Sequence, residues 1–373
     1  MESLADDIKN KILVRCPIKT LCILNCVSKA LQTLIKSPDF TKHYDKLHCH
    51  HTSIKLLVVA NSGVHSFNNI HHKLPSYSLA FQTNTRLVGS SNGLVCLYHS
   101  PGSLSLFNPA TREFRDLPDP GTFTITSRIP IRLFGFSYVQ VLDDFMVVSA
   151  AMHKYGLFPP IIKVYSARSD SWKTMPARPR GVKVPLDRFT SDFSVNVNDV
   201  AYWLGWSGSD GNHNLSVRKI LGFDFALEEF KTLLLHDDIN QSEIMAFTVL
   251  DGCICVLSPD AYSCLGMWVM KECGVVESWT KTYSLNGIIY MEPNTSVSPI
   301  CNAGNKVLFE IDNQLVLYDP VKTVTTELEA GLPVIMEREG RLDFARYVES
   351  LVSPSGYICQ DKRQIAKWKR MNE

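Results

Sequence analysis

Residues 104–118 read LSLFNPATREFRDLP, and the same cadence returns at 162–176 as IKVYSARSDSWKTMP and at 221–235 as LGFDFALEEFKTLLL. Each time an apolar run ends in an aromatic residue (Phe107, Tyr165, Phe223), followed by a small polar or acidic one (Asn108, Ser166, Asp224). A polar turn then leads to a second aromatic, Phe114, Trp172 or Phe230. The first aromatics are spaced by 58 residues and by 58 again, and a weaker echo, LVLYDPVKTVTTEL, stands at 315–328. A repeat of roughly 45–58 residues is too long for a hairpin and suits a four-stranded propeller blade with its loops.

The rest of the chain from Ile54 onward agrees. Short runs such as IKLLVVA, LVCLY, FMVVSA, VAYWLGW, CICVL, MWVM and KVLFEI are separated by Gly, Pro, Asn, Asp and Ser, which is the pattern of an all-β body. Asn92-Gly93 and Asp251-Gly252 suit tight hairpin turns. The units fall at 54–75, 88–118, 134–176, 195–237, 247–285 and 301–329, about six blades. Unequal unit lengths leave a seven-bladed ring or a distorted barrel open. The first unit lacks a strand, and YVESLV (347–352) is expected to supply it and close the ring. The second aromatics, Phe114, Trp172 and Phe230, together with Trp279, are expected to be buried as wedges between blades.

Residues 4–47 follow a different period. Ile8, Ile12 and Leu13 share a helical face behind Asp6 and Asp7, and Pro17 ends that helix. Leu21, Ile23 and Leu24 make a second apolar face, Leu31, Leu34 and Ile35 a third, and Phe40, Tyr44 and Leu47 continue after Ser37-Pro38. Three or four short helices make a core too small to stand well alone, so the unit is expected to dock on a partner. The fold class is therefore mainly β, with a small helical motif in front of the propeller. The expected domains are 1–47, 48–356 and a basic tail at 357–373.

The stretch LADDIKNKILVRCPIKTLCILNCVSKALQTLIKSPDF resembles an F-box, through Asp7-Ile8, Ile12-Leu13, Arg15, Pro17, Ile18-Lys19, Leu21 and Cys26-Val27-Ser28-Lys29. Ala5, Cys16 and Leu31 stand where that family usually has Pro, Leu and an aromatic. The body, through GSSNGLVCL, LFNPATREFRDLP, VYSARSDSWK, ILGFDFALEEF, VLDGCICVL and MWVMKECGVVESWTK, is similar to the plant F-box-associated, kelch-like domain. Within that family it looks most like the subgroup that includes negative regulators of defence signalling. The resemblance implies a substrate receptor of a Skp-cullin-F-box ubiquitin ligase. Its adaptor-binding residues would be Ile8, Ile12, Leu13, Pro17, Ile18, Leu21, Val27 and Leu31. The expected partners are a Skp-type adaptor, through it a cullin, and a protein target.

Composition narrows the alternatives. Of 373 residues, 45% are hydrophobic and 20% charged, and 38 Lys plus Arg balance 37 Asp plus Glu, which points to neither nucleic acid nor an acidic surface. No run approaches the length of a bilayer-spanning helix, and MESLADDIKNK carries no secretory h-region. The 11 cysteines form no C-x-x-C pair and read as reduced thiols of a cytoplasmic or nuclear protein. HCHH at 48–51, the Gly- and Ser-rich GWSGSDG at 205–211 and the acidic pairs read as linker, loop and turns, so no cofactor, metal or catalytic group is expected. The competing reading is a propeller enzyme or small-molecule sensor with residues converging on the central channel. Target specificity is expected in loops that interrupt the repeat: 119–133, 153–160, 177–194, 206–216 and 286–300. In 177–194, Arg178, Arg180, Lys183 and Arg188 form a basic run with Phe189 and Phe193 beside it, and Arg and aromatic side chains are frequent interface anchors.

Overall fold

The structure is a computed structural model of the chain, and it describes residues 6–48, 55–60, 63–67, 77–81, 84–121, 130–153, 160–175, 188–207, 217–260, 264–285, 296–312, 314–327 and 342–356. Four helices open it: α1 (Asp6–Leu13), α2 (Ile18–Val27), α3 (Lys29–Ile35) and α4 (Pro38–His48). Pro17 sits at the N-cap of α2. Ser28, extended at φ −150°, separates α2 from α3. The Ser37 hydroxyl accepts the Phe40 N–H at 3.3 Å, and Pro38 opens α4 where its missing N–H costs nothing.

Six sheets form the propeller among the described residues. Blade 1 holds β1 (Lys55–Ala60), β2 (Gly63–Phe67) and β3 (Tyr77–Ala80); blade 2 holds β4 (Thr85–Ser91), β5 (Leu94–His99), β6 (Ser103–Phe107) and β7 (Phe114–Asp116). Blade 3 contains β8 (Pro130–Val139), β9 (Asp144–His153), β10 (Ile161–Ser166) and β11 (Ser171–Thr174). In blade 4, β12 (Arg188–Phe189) and β13 (Val195–Val197) both pair with β14 (Val200–Ser207), followed by β15 (Val217–Asp224) and β16 (Glu229–Leu234). After the short α5 (Asp237–Asn240) come β17 (Ala246–Leu250), β18 (Cys253–Asp260), β19 (Cys264–Met270) and β20 (Trp279–Leu285) of blade 5. Blade 6 is β21 (Val297–Ala303), β22 (Lys306–Ile311), β23 (Gln314–Asp319) and β24 (Val324–Glu327).

The last strand, β25 (Asp343–Tyr347), returns to blade 1 and pairs antiparallel with β1 from Val59↔Asp343 to Lys55↔Tyr347. Ring closure by a C-terminal strand is as expected, but the strand lies four residues earlier than YVESLV. Ala345 and Tyr347 are buried on its core side. Residues 348–352 instead turn away, carrying Ser350, Leu351 and Val352 into buried contacts elsewhere.

The repeated cadence is the hairpin between the third and fourth strands of a blade. Its two aromatics face each other in register: Phe107↔Phe114, Tyr165↔Trp172 and Phe223↔Phe230, with ring centroids 6.5, 5.4 and 4.9 Å apart. The residue after the first aromatic holds the turn. Asn108 Oδ1 accepts the N–H groups of Ala110 and Thr111; Asp224 and Asp319 do the same two and three residues on. Two residues before the second aromatic the backbone is left-handed, at Arg112, Asp170, Glu228 and, in the echo, Thr323 (φ 61°, 49°, 52° and 53°). Asn92-Gly93 and Asp251-Gly252 form the expected tight hairpin turns, both residues of each pair having positive φ.

The wedge role belongs to the first aromatic rather than the second. Phe107 packs with Leu57 and Val59 of blade 1, Tyr165 with Leu104 and Leu106 of blade 2, and Phe223 with Leu133 and Val148 of blade 3. All three rings are fully buried. Phe114 is 39% exposed. Trp172 and Phe230 are half-buried, and of the four expected wedges Trp279 alone is interior. A fourth strand is outermost, so Phe114, Trp172 and Phe230 reach only the core edge, whereas Trp279 on β20 packs into the core shared by blades 4 and 5. Accordingly, Tyr165→Ala is expected to cost about 3–5 kcal/mol in chemical denaturation. Trp172→Ala is expected to cost less than half of that, chiefly its covered ring face and its indole N–H bond to the Pro118 carbonyl at 2.6 Å.

Candidate partner-binding surfaces

The helical head packs on one end of the ring. Leu13, Val14, Ile18, Leu21, Ile35, Phe40 and Tyr44 form its core, and Leu351 and Ala110 from the propeller side join it. The pairs Lys36–Glu113 (3.0 Å) and Lys42–Asp143 (2.7 Å) flank this contact. A body folded without its head would therefore uncover Leu351.

This packing divides the eight expected adaptor residues. Leu13, Ile18 and Leu21 are interior, so they hold the bundle together and act on docking only through it. Leu31 is half-buried against the same core. Ile8 and Ile12 on α1 (45% exposed each) and Val27 on α2 (69%) face outward, and Pro17 is exposed beside them in sequence. Ile23, 66% exposed, belongs with this outward set. Its spacing of four from Val27 on one helix is the signal that places both on a common side. Leu47 on α4 is also half exposed. Four outward aliphatic side chains on α1 and α2 of so small a unit form a surface that water leaves readily on association.

Asp45 of α4 lies at the junction of head and ring. Its carboxylate accepts the Ser350 O–H at 2.8 Å and the Leu351 N–H at 3.4 Å. Burial pushes this carboxyl up to about 6, outweighing those bonds and nearby His48, which favour the charged form. A carboxyl whose docked value exceeds its free value near 3.8 favours docking most when protonated. The contribution is fully present below the free value and is lost as pH rises through 6. Protease protection of the head should thus increase between pH 7 and pH 5, and Asp45→Asn should flatten that dependence.

Strand direction sorts the loops onto two rims. Four strands alternate in direction from the channel outward, so links between second and third strands emerge on the same rim as links from one blade to the next. The head touches the other rim, through the turn at Ala110 and Glu113 and the turn at Asp143. All five interrupting segments, 119–133, 153–160, 177–194, 206–216 and 286–300, are links of the first kind. Their described flanking strand ends therefore stand on the rim away from the head. Arg178, Arg180 and Lys183 lie outside the described residues. Arg188 pairs with Trp206 through its backbone, and Phe189 with Gly205. The Phe189 ring is half-buried, part of it packing against the core of blades 3 and 4. Phe193 is likewise occupied, 6.0 Å from the Phe134 ring and under the Arg86 guanidinium at 5.0 Å.

The central channel has a volume of about 2090 Å³ and opens between these rims. Several of its charged wall groups are paired, two of the pairs across blades. Arg86 makes a two-pronged bond to Asp343 (2.6 and 3.0 Å), and Asp251 bonds both Arg346 and Asn302. Glu310 accepts the Ser296 O–H at 3.1 Å. Among the described residues no cluster of three or more His, Cys, Asp or Glu has the geometry to hold a metal ion. The Arg86–Asp343 and Arg346–Asp251 pairs tie neighbouring parts of the ring together along the channel wall.

Comparison with known proteins agrees with this architecture. The F-box domain profile matches residues 1–43, and that of the F-box associated beta propeller domain matches residues 45–353. F-box protein CPR1 of Arabidopsis thaliana is 28% identical, the match covering 86% of this chain and 82% of the relative. F-box protein At4g22390 of the same plant is 28% identical over 82% of this chain and 80% of its own length. The F-box/kelch-repeat protein At3g23880, also from that plant, is 26% identical over 94% and 95%. The chain belongs to the plant F-box proteins that carry an F-box associated beta propeller domain.

Proposed function

We propose that this protein is the substrate receptor of a Skp-cullin-F-box ubiquitin ligase, taking a protein target to ubiquitination and degradation. The observation that carries the reading is the separation of two surfaces: an outward apolar set on α1 and α2 at one end, and the loop-bearing rim at the other. The first fits an adaptor; the second leaves a target free to present its lysines. Transfer is then accelerated by proximity, because holding the target beside a charged conjugating enzyme raises the local concentration of the attacking amine. The receptor itself supplies no nucleophile, acid or base. The resemblance to the subgroup with negative regulators of defence signalling makes a defence component the first class of target to test. Cytoplasm and nucleus are the compartments where this machinery would be met.

The rim is tested by neutralising Arg178, Arg180 and Lys183 together and following, separately, adaptor binding and the half-life of proteins captured by the wild-type chain. Longer half-lives with intact adaptor binding support a target-facing segment. Unchanged half-lives return 177–194 to a plain connection between blades.

A further inference from the structure

The chain after the ring-closing strand does something that neither the blade pattern nor the head requires. Ser350, Leu351 and Val352 form no strand, yet all three are buried. Irregular chain is seldom buried, because its polar groups must each find a partner. Here those partners come from both bodies at once. Asn108 of blade 2, itself fully buried, donates its amide to the carbonyls of Ser350 (2.9 Å) and Val352 (2.7 Å). From the head, Asp45 accepts from the Ser350 hydroxyl and the Leu351 N–H. The Ser350 Oγ in turn accepts the Val352 N–H at 3.0 Å. Leu351 then enters the apolar core of the head.

The departure of blade 2 from its own repeat points the same way. The turn residue after the first aromatic is Asp224 in blade 4 and Asp319 in blade 6, where it only accepts, and Ser166 in blade 3, which accepts the Ser169 N–H and donates within its own blade to Asp144. In blade 2 it is Asn108, whose Oδ1 fills that role while its NH₂ holds the returning chain. An Asp at 108 would face two carbonyls with acceptors only. Gly93 adds a second fit: a Cβ there would lie 2.2 Å from the Ser350 Cβ. The exposed Lys36–Glu113 and Lys42–Asp143 pairs fix orientation poorly, since such pairs are screened and loosely held.

We propose that residues 350–352 are a clamp that fixes the angle of the F-box head on the propeller, with Asp45 and Asn108 as its positioning residues. Its use in ubiquitin transfer rests on the receptor reading above; its existence does not. A receptor whose head swings would spread its target over many positions relative to the conjugating enzyme and dilute the proximity on which transfer depends. The same strand that closes the ring thereby sets where the ring points.

The test is a pulsed electron-spin distance measurement on the full chain, with genetically encoded labels at exposed Lys29 on the head and Lys322 on blade 6. Wild type and Asp45→Asn, which keeps an acceptor and gains a donor for Ser350, should give one narrow distance. Asp45→Ala and Asn108→Asp should broaden it about twofold or more, with the thermal unfolding of the propeller little changed in Asp45→Ala. Narrow distributions in both of these variants would overturn the clamp. So would an Asp45→Asn distribution as broad as that of Asp45→Ala, because rescue by the amide is what distinguishes positioning from mere filling of space. Adaptor binding is measured on the same samples. A wild-type chain that shows one narrow distance but binds no adaptor would remove the receptor reading and leave the clamp standing.

Discussion

Replacing Ile12 and Val27 together by aspartate should abolish co-purification of a Skp-type adaptor while the head stays folded. Both side chains are largely outside the bundle core, at 45% and 69% exposure, so the charges sit in water in the free protein and cost little there. In the complex they would be buried. Each aliphatic side chain contributes about 1.5–3 kcal/mol when fully desolvated, and an unpaired carboxylate adds a further penalty of its own. Loss of two such contacts weakens binding by at least about a hundredfold. Leu13→Asp and Leu21→Asp should also eliminate binding, by a different route. These residues are fully buried, so the variants should lose helical content and protease resistance as well. Circular dichroism on the isolated variants separates the two routes. A double Ile12, Val27 variant that keeps full adaptor binding would mean that α1 and α2 are not the docking surface.

Ending the chain after Leu342 should leave no soluble ring. The truncation removes β25, the innermost strand of blade 1, and with it the partner of every β1 residue from Lys55 to Val59. Leu57 and Val59, now fully buried beside Ala345 and Tyr347, would face the channel. An unpaired, apolar inner edge is an aggregation template. Asp343→Ala is the graded form of the same experiment. It strips Arg86 of both its bonds and leaves the Leu87 N–H without the carboxylate that accepts it at 3.0 Å. Side-chain exposures of 23% and 16% make this pair mostly buried, where breaking one partner costs about 2–4 kcal/mol after allowance for residual solvent. Denaturant midpoints read this directly, and a full-length Asp343→Ala chain as stable as wild type would detach blade closure from this seam.

Much of this architecture is legible locally. The hairpin cadence is set by residues within ten positions of one another, so the turn-capping Asn108, Asp224 and Asp319 are legible in the sequence. The unequal units point to about six blades and leave seven open, and the pairing of the strands settles six among the described residues. The depth of each aromatic does not, because it depends on which strand ends up outermost, and that is decided by the neighbouring blade. The closing strand illustrates the same limit. DFARY and YVESLV are comparable as strands; what selects the former is pairing with β1, nearly the whole chain away. On α2 the reading stops for another reason. IKTLCILNCV is apolar around most of its circumference, so periodicity marks no unique inner face, and the propeller's Leu351 helps to fix which side is covered. Ile23 was therefore legible as apolar but not as outward. The basic run at Arg178, Arg180 and Lys183 lies outside the described residues, whereas the two phenylalanines beside it are partly buried against the blade and the seam.

The receptor account turns most directly on one measurement: mixing the purified full-length chain with purified Skp-type adaptor and cullin, and determining the composition of the complex by size-exclusion chromatography with light scattering. The account predicts a single species with one copy of each chain, lost in the Ile12, Val27 double aspartate variant and retained in Trp172→Ala. A correctly folded wild-type chain that elutes alone, with adaptor and cullin in excess, would contradict it.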